Sequence, residues 1–460
     1  MKNARSQKSK PGMKSKAAKL VKKVAKLVKK VTSKAKSKPV VKVAKPLPVR
    51  VAKPLRAAKP AKFVKPAKEV KPAKEVAKSK GNSEAAKKAL QNPTELFLTK
   101  WKPKAETFEA GVDRFLSELG LSEKERFLAA PAVIEKLQLY FRKEPLGQAI
   151  EEQLSERFSK DRVHKLATIF SMKPKTALRL NFLKADLKAF PQTQIAEDLK
   201  IKKTGLSPWG FEMGKPEEGK AHPILDRGLF EFQDEASQIF SLFSNTRPGH
   251  RVLDLCANHG VNALAIATMM RNKGSVFIYE ADGKRLKIFR DRAAKAGIDN
   301  YRIVTDSQIG EVKSLDVVVV EAPSSHLGEL ASRPELKLKF QKEELTRLHK
   351  LQAALLREGA RKLKLSGHLI YSTTSLNKSE NEAQVENFLR TSHNSYRLVP
   401  ALSYLREFIV PYVSNFFGFQ WDEKVLQSFG EFDPYFVLSP DVHNCQGMFI
   451  AILQRTRIST

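Results

Sequence analysis

From Arg251 to about Ser375 the chain alternates short β-rich runs with helical stretches. "RVLDLCA" is followed by "GVNALAIATMMRN", and "SVFIYEA" by "DGKRLKIFRDRAAKAG". Then come "NYRIVTD", "LDVVVVEAP", a long helix over about 341–364, and "GHLIYSTTS". Strands joined through helices run parallel, and the helices cover both faces. The pattern therefore predicts an α/β protein with a Rossmann-like doubly wound sheet. Ligands of such a sheet sit at the carboxyl ends of its strands, so polar residues should gather where the apolar runs stop. Asp254, Glu280, Asp306, Glu321 and the stretch Ser372 to Ser375 stand at those places.

An acid at the end of the second strand, after a glycine-bearing turn on the first, is how this architecture grips the hydroxyls of a ribose. Glu280 follows Asp254 by 26 residues, near the expected spacing. Only Gly260 stands in the first turn, so a full dinucleotide fingerprint is absent and NAD is disfavoured.

Before this half, "ETFEAGVDRFLSELG", "AAPAVIEKLQLYFRK" and "LGQAIEEQLSERFSK" carry apolar residues at three- and four-residue spacing, which predicts a helical domain over 93–170. "KTALRLNFLKADLKAF" alternates like a strand and then turns helical, predicting a small α+β module within 171–227. Residues 228–457 complete the large domain.

Charge divides the chain unevenly. Residues 1–80 carry 28 Lys and Arg against two Glu, or +26 of the formal +34. Residues 16–31 place Leu20, Val24, Leu27 and Val31 at helical spacing among lysines. Pro54, Pro60, Pro66 and Pro72 then recur every six residues, each after Lys. Proline at that density and mutual repulsion predict an extended disordered arm over 1–92. A polycation of this kind releases counterions on a phosphate backbone, so nonspecific nucleic acid is its expected partner. The two cysteines, Cys256 and Cys445, exclude a disulfide framework and a four-cysteine zinc site and favour a reducing compartment. No apolar run is long enough to span a membrane and no signal-peptide core stands near Met1. A soluble intracellular protein is expected, cytoplasmic in a bacterium and nuclear or nucleolar in a eukaryote.

Several motifs resemble one family. They are "GLFEFQDEASQIFSLFSNTRPGHRVLDLCA" (Gly228 to Ala257), "EADGKRL" (Glu280 to Leu286), "EAPSSHLGELASRPELK", "LQAALLREGARKLKLSGHLIYSTTS", "ENE" (Glu380 to Glu382) and the closing "QGMFIAIL". In this order they resemble the RsmB/Sun family of S-adenosylmethionine-dependent RNA cytosine-5 methyltransferases, from about Lys173 to Arg455. The resemblance implies a class I methyltransferase fold, S-adenosylmethionine as cofactor, and ribosomal RNA as partner, with the 171–227 module contacting RNA. It puts Cys256, Ala257, Asn258, His259, Gly260, Val261 and Asn262 in the cofactor loop. It also puts Glu280 at the ribose acid, with Arg285 beside it, Asp306 at the adenine side, and Glu321 at the acid closing the fourth strand. No metal site is implied.

Departures accompany the likeness. The family's first motif continues Ala-Pro-Gly-Gly-Lys, whereas this chain has Asn258, His259, Gly260, Val261 and Asn262. The family has two cysteines where Ser324 and Thr374 stand; the one at 374 attacks carbon 6 of cytosine and the one at 324 assists release. A thiol ionises with a pKa of about 8.5, and a hydroxyl needs an adjacent base. Deleting a nucleophile can cost about six orders of magnitude in turnover. Two readings stand at this point: a methyltransferase with altered chemistry, such as transfer to an exocyclic nitrogen or a ribose oxygen, and a catalytically inactive relative acting as an RNA-binding or ribosome-assembly factor. Cys445 is expected to be structural.

Overall fold

The computed structural model describes residues 93–101, 107–187, 189–214 and 227–457. The basic tail, with its expected helix at 16–31 and its Lys-Pro repeat, lies outside the described residues.

Strands β1 (Thr176–Leu180), β2 (Ile201–Lys203), β3 (Gly210–Met213) and β4 (Phe230–Phe232) form an antiparallel sheet in the order β2-β3-β1-β4. Its core is Leu178, Leu180, Leu199, Phe211 and Phe230 around Phe190, whose ring meets Phe211 and Phe230 edge-on. The helical turn expected directly after β1 forms later, as Gln194–Asp198 capped by the Thr193 hydroxyl on Ala196 N–H. Asn181 explains the delay. Its side chain accepts from Leu183 N–H and donates to the carbonyls of Gly228 and Ala296, holding the chain in a turn.

The second sheet has eight strands. β5 (Arg251–Asp254), β6 (Ser275–Ile278), β7 (Tyr301–Ile303), β8 (Leu315–Glu321) and β9 (Leu363–Thr373) are parallel to their neighbours. β10 (Tyr396–Val399) and β12 (Met448–Arg455) extend this sheet in the order β10-β12-β9-β8-β5-β6-β7, and β11 (Phe436–Leu438) pairs with β12. β12 runs antiparallel to β9, to β10 and to β11. The sheet is therefore parallel through β9 and antiparallel beyond it. The expected helix at 341–364 spans Lys342–Arg361, and β9 begins two residues later.

Apolar residues appear on both faces of these strands, as burial on both sides demands. Val252, Val319, Ile370 and Ile450 face one core, which the helices Glu235–Phe243, Val261–Met269 and Gly283–Ala296 close. Leu253, Val318, Tyr371 and Phe449 face the other, under the helix Lys342–Arg361. The helices Gln148–Ser155 and Lys160–Phe170 also join this second core, through Ile150, Leu154, Leu166 and Phe170. The three helices before them, Pro93–Lys100, Phe108–Glu118 and Glu123–Lys143, have an aromatic core of their own around Phe97, Trp101, Phe108, Phe115 and Phe141. Among the described residues no helix is long and apolar enough to cross a membrane.

Candidate functional site

A cavity of about 570 Å³ opens where β5, β6, β8 and β9 end. The loop after β5 makes one wall. Asn258 and Gly260 both take left-handed backbone angles, φ 52° and 75°. Gly260 cannot be replaced by a larger residue without movement, because a Cβ there would stand 2.0 Å from the Phe289 ring. The tight turn lets Asn258 N–H donate to Glu280 Oε2 at 2.9 Å, while Asp282 N–H donates to Oε1 at 2.9 Å. Two backbone donors thus orient the Glu280 carboxylate at the cavity wall and leave it further acceptor capacity for a diol. Arg285 stands 3.6 Å from the same carboxylate.

Cys256, Ala257, Asn258, His259, Val261 and Asn262 line the cavity, as do Glu280, Arg285, Glu321 and Thr374. Burial, then the Asp254, Glu280 and Glu321 charges, push the Cys256 thiol well above its usual range, so it is no ready nucleophile. Burial, then the Arg285 and Arg292 charges, lower the His259 pKa. Among the described residues no three His, Cys, Asp or Glu side chains come together as a metal site.

Three expected site residues are not part of the cavity lining: Gly260, which shapes the turn from behind against Phe289, and Asp306 and Ser324. Asp306 is exposed and accepts the Tyr279 hydroxyl proton at 2.8 Å. Ser324 is buried, and its hydroxyl accepts from His326 N–H at 3.3 Å, so the side chain turns back on its own loop. Short polar side chains readily make such local bonds after a strand, and sequence position alone does not reveal them.

Other residues of the site escape a linear reading. Arg179 of β1 donates through Nε to Gln233 Oε1 at 2.6 Å, Gln233 Nε2 donates to Asn262 Oδ1 at 2.9 Å, and Asn262 Nδ2 donates to Glu321. This chain couples the small sheet to the acid that ends β8. Asn262, where the family has lysine, therefore serves as a neutral donor to Glu321. Burial raises the Glu321 pKa, and the Asn262 bond partly offsets this. Asp234 caps the helix Glu235–Phe243 and also accepts from Gln446 N–H; burial pushes it up to about 6. Asp254, at the end of β5, is 2% exposed and its Oδ2 has no partner. Burial first, and then the Glu321 charge, push Asp254 up to about 7.

The loops after β8 and β9 are joined by Glu380, which is fully buried. It accepts from Ser325 N–H at 2.9 Å, Ser375 Oγ at 2.7 Å and Gln352 Nε2 at 3.1 Å, and also from Ser325 Oγ. Four donors satisfy the buried carboxylate and tie three segments together. Thr374, beside Ser375, has its Oγ1 2.8 Å from His326 Nδ1, and that same nitrogen lies 3.0 Å from Glu329 Oε1.

Fold and site together define a class I, Rossmann-like methyltransferase architecture with its ligand cavity at the carboxyl ends of the parallel strands. Residues 242–454, a little under half of the chain, match the family model described as 16S rRNA methyltransferase RsmB/F. The chain is 26% identical over 244 residues to the probable ribosomal RNA small subunit methyltransferase B of Bacillus subtilis, covering 52% of this chain and 54% of the relative. The Synechocystis protein of the same name is 26% identical over 314 residues, 66% of this chain and 65% of that one. The chain thus spans between about half and two thirds of these curated relatives. The fold also matches NSun6 from Pyrococcus horikoshii, solved with SFG, at a TM-score of 0.55 and 16% identity, over 68% of this chain and all of that one.

Proposed function

We propose that this chain is an RNA-binding member of its family that holds S-adenosylmethionine in the cavity and does not use the two-cysteine route to cytosine carbon 5. The Glu280 carboxylate carries the cofactor half of this reading: it stands at the cavity wall, already oriented by two backbone donors, and suits the ribose hydroxyls of the cofactor. When bound, the cofactor supplies an electrophilic methyl group. Around it Ala257 and Asn258 would form the loop wall, Glu280 would hold the sugar, and Glu321 with Asn262 would face the acceptor. The names of the curated relatives support small-subunit ribosomal RNA as the partner, and the 28 Lys and Arg of residues 1–80 support salt-sensitive RNA affinity.

A second reading, a catalytically silent RNA-holding or ribosome-assembly protein, is favoured by the contacts of Thr374. Its hydroxyl lies against a nitrogen that also faces a carboxylate, an arrangement that does not free a base for it. Calorimetric titration of S-adenosylmethionine into the full chain tests the cofactor reading. Binding is expected in the wild type, and a loss of about tenfold to a hundredfold in Glu280→Ala, the cost of charged hydrogen bonds removed. A folded wild-type protein that takes up no cofactor would leave only the second reading.

A further inference from the structure

His326 stands in the turn after β8 with φ of 58°, a left-handed angle that directs its ring to the cavity wall. Its Nδ1 is 3.0 Å from Glu329 Oε1 and 2.8 Å from Thr374 Oγ1. A single ring nitrogen cannot donate a proton to a carboxylate and accept one from a hydroxyl at the same time. Burial would raise the Glu329 pKa, but its pairing with His326, the Arg333 guanidinium 3.5 Å away and the bond from Thr374 hold it well below the usual carboxylate range. Glu329 is therefore an anion that accepts only, so the proton resides on Nδ1 and the Thr374 hydroxyl turns to the same carboxylate. Thr374 gains no base from this. The histidine gains a fixed tautomer, with its lone pair on Nε2. Among the described residues no hydrogen bond involves Nε2, and the side chain is 34% exposed.

We infer that His326, oriented by Glu329, is a general base at the cavity for methyl transfer to a proton-bearing nitrogen or oxygen of RNA. This rests on the cofactor reading above. A heteroatom nucleophile needs no covalent adduct, and hence neither missing sulfur. Its lone pair forms the new bond to the methyl carbon, the carbon–sulfur electron pair stays with the departing sulfur, and its proton passes to Nε2 and then to water. General-base assistance of this kind contributes about 10²- to 10⁴-fold. Glu329 acts through the ring and is a positioning residue.

The test uses the full chain, methyl-labelled S-adenosylmethionine and unmodified small-subunit rRNA transcript. Calorimetry is performed first on wild type, His326→Asn and Glu329→Gln, which are expected to bind the cofactor within about threefold of one another. Methyl incorporation should then fall about 10²- to 10⁴-fold in His326→Asn. It should fall less in Glu329→Gln, with part restored in Glu329→Asp. Nucleoside analysis should give an N-methyl or an O-methyl product, which separates an amine acceptor from a hydroxyl. Nitrogen-15 spectra of histidine-labelled protein should show the Nδ1–H tautomer at His326 and a tautomer mixture in Glu329→Gln. Four results overturn the assignment: 5-methylcytidine as product, incorporation unchanged in His326→Asn, no incorporation by a protein that binds the cofactor, or an Nε2–H ring. A wild type that fails to bind the cofactor overturns the cofactor reading and this assignment with it.

Discussion

Gly328 and Gly447 meet backbone to backbone: Gly447 N–H donates to the Gly328 carbonyl at 2.9 Å, and a Cβ on Gly328 would come within 2.2 Å of Gly447 O. Gly328 N–H in turn donates to the Thr374 carbonyl at 2.8 Å. The obstacle is main chain and cannot rotate away, so Gly328→Ala is expected to destabilise the protein by about 3 kcal/mol, the upper end for overpacking. Denaturant melts would measure it. A loss under 1 kcal/mol would mean the two loops separate easily.

Arg157, with its side chain wholly buried, donates through Nε to the Leu376 carbonyl at 2.9 Å and through Nη2 to Glu382 at 2.7 Å. This pins the end of the helix Gln148–Ser155 to the segment after β9. Removing one partner strands the other, so Arg157→Ala should cost about 3–5 kcal/mol. Arg157→Lys, which keeps the charge but loses the fork, should also lose stability. Chemical unfolding of both variants tests this, and an alanine variant as stable as wild type would refute it.

The raised pKa of Asp254 makes stability depend on pH. The carboxyl titrates at about 7 in the folded chain, against an ordinary value of 3.8. Between these values the folded state keeps a proton that the unfolded state has lost. Stability therefore falls as pH rises through that window, by about 2–4 kcal/mol in all. Asp254→Asn removes the titration, so its Tm relative to wild type should rise between pH 5 and pH 8. Parallel pH profiles for the two proteins would contradict a raised Asp254.

A thiol at position 374 should be sluggish. The Glu329 anion beside that position disfavours a thiolate, so Thr374→Cys should alkylate with iodoacetamide at pH 7.5 about tenfold more slowly than Thr374→Cys combined with Glu329→Gln. The native Cys256 and Cys445 thiols, both raised by burial, contribute little background. Ser324→Cys with Thr374→Cys is accordingly expected to yield no 5-methylcytidine, since position 324 also lies off the cavity wall. Equal alkylation rates, or a cytosine product, would reverse this conclusion.

Strand and helix alternation and the acids at the strand ends are local properties, which is why the parallel part of the sheet and the places of Asp254, Glu280 and Glu321 are legible in the sequence. The direction of β12 is not, because side chains alternate with period two whichever way a strand runs. The directions of the Ser324 and Asp306 side chains are not legible for a related reason. A position at a strand end says nothing of whether the side chain turns to its own loop or finds a neighbour such as Tyr279. The pairing of His326 and Glu329 with Thr374 is not legible because only folding brings position 326 to position 374, across the helix Lys342–Arg361 and strand β9. Glu380 could be read as part of a motif, but its role needs the buried serines on either side.

β12 lies inside the sheet, between β9 and β10, with β11 also paired to it. A nascent chain that has emerged only as far as residue 447 already possesses the walls of the cavity, yet β9 and β10 still present open edges to solvent. For the ribosome-bound polypeptide this is a period of exposure to sticky encounters. The sheet becomes a finished structure only when this antiparallel strand slides into the gap, so closure of the fold waits for residues 448–455.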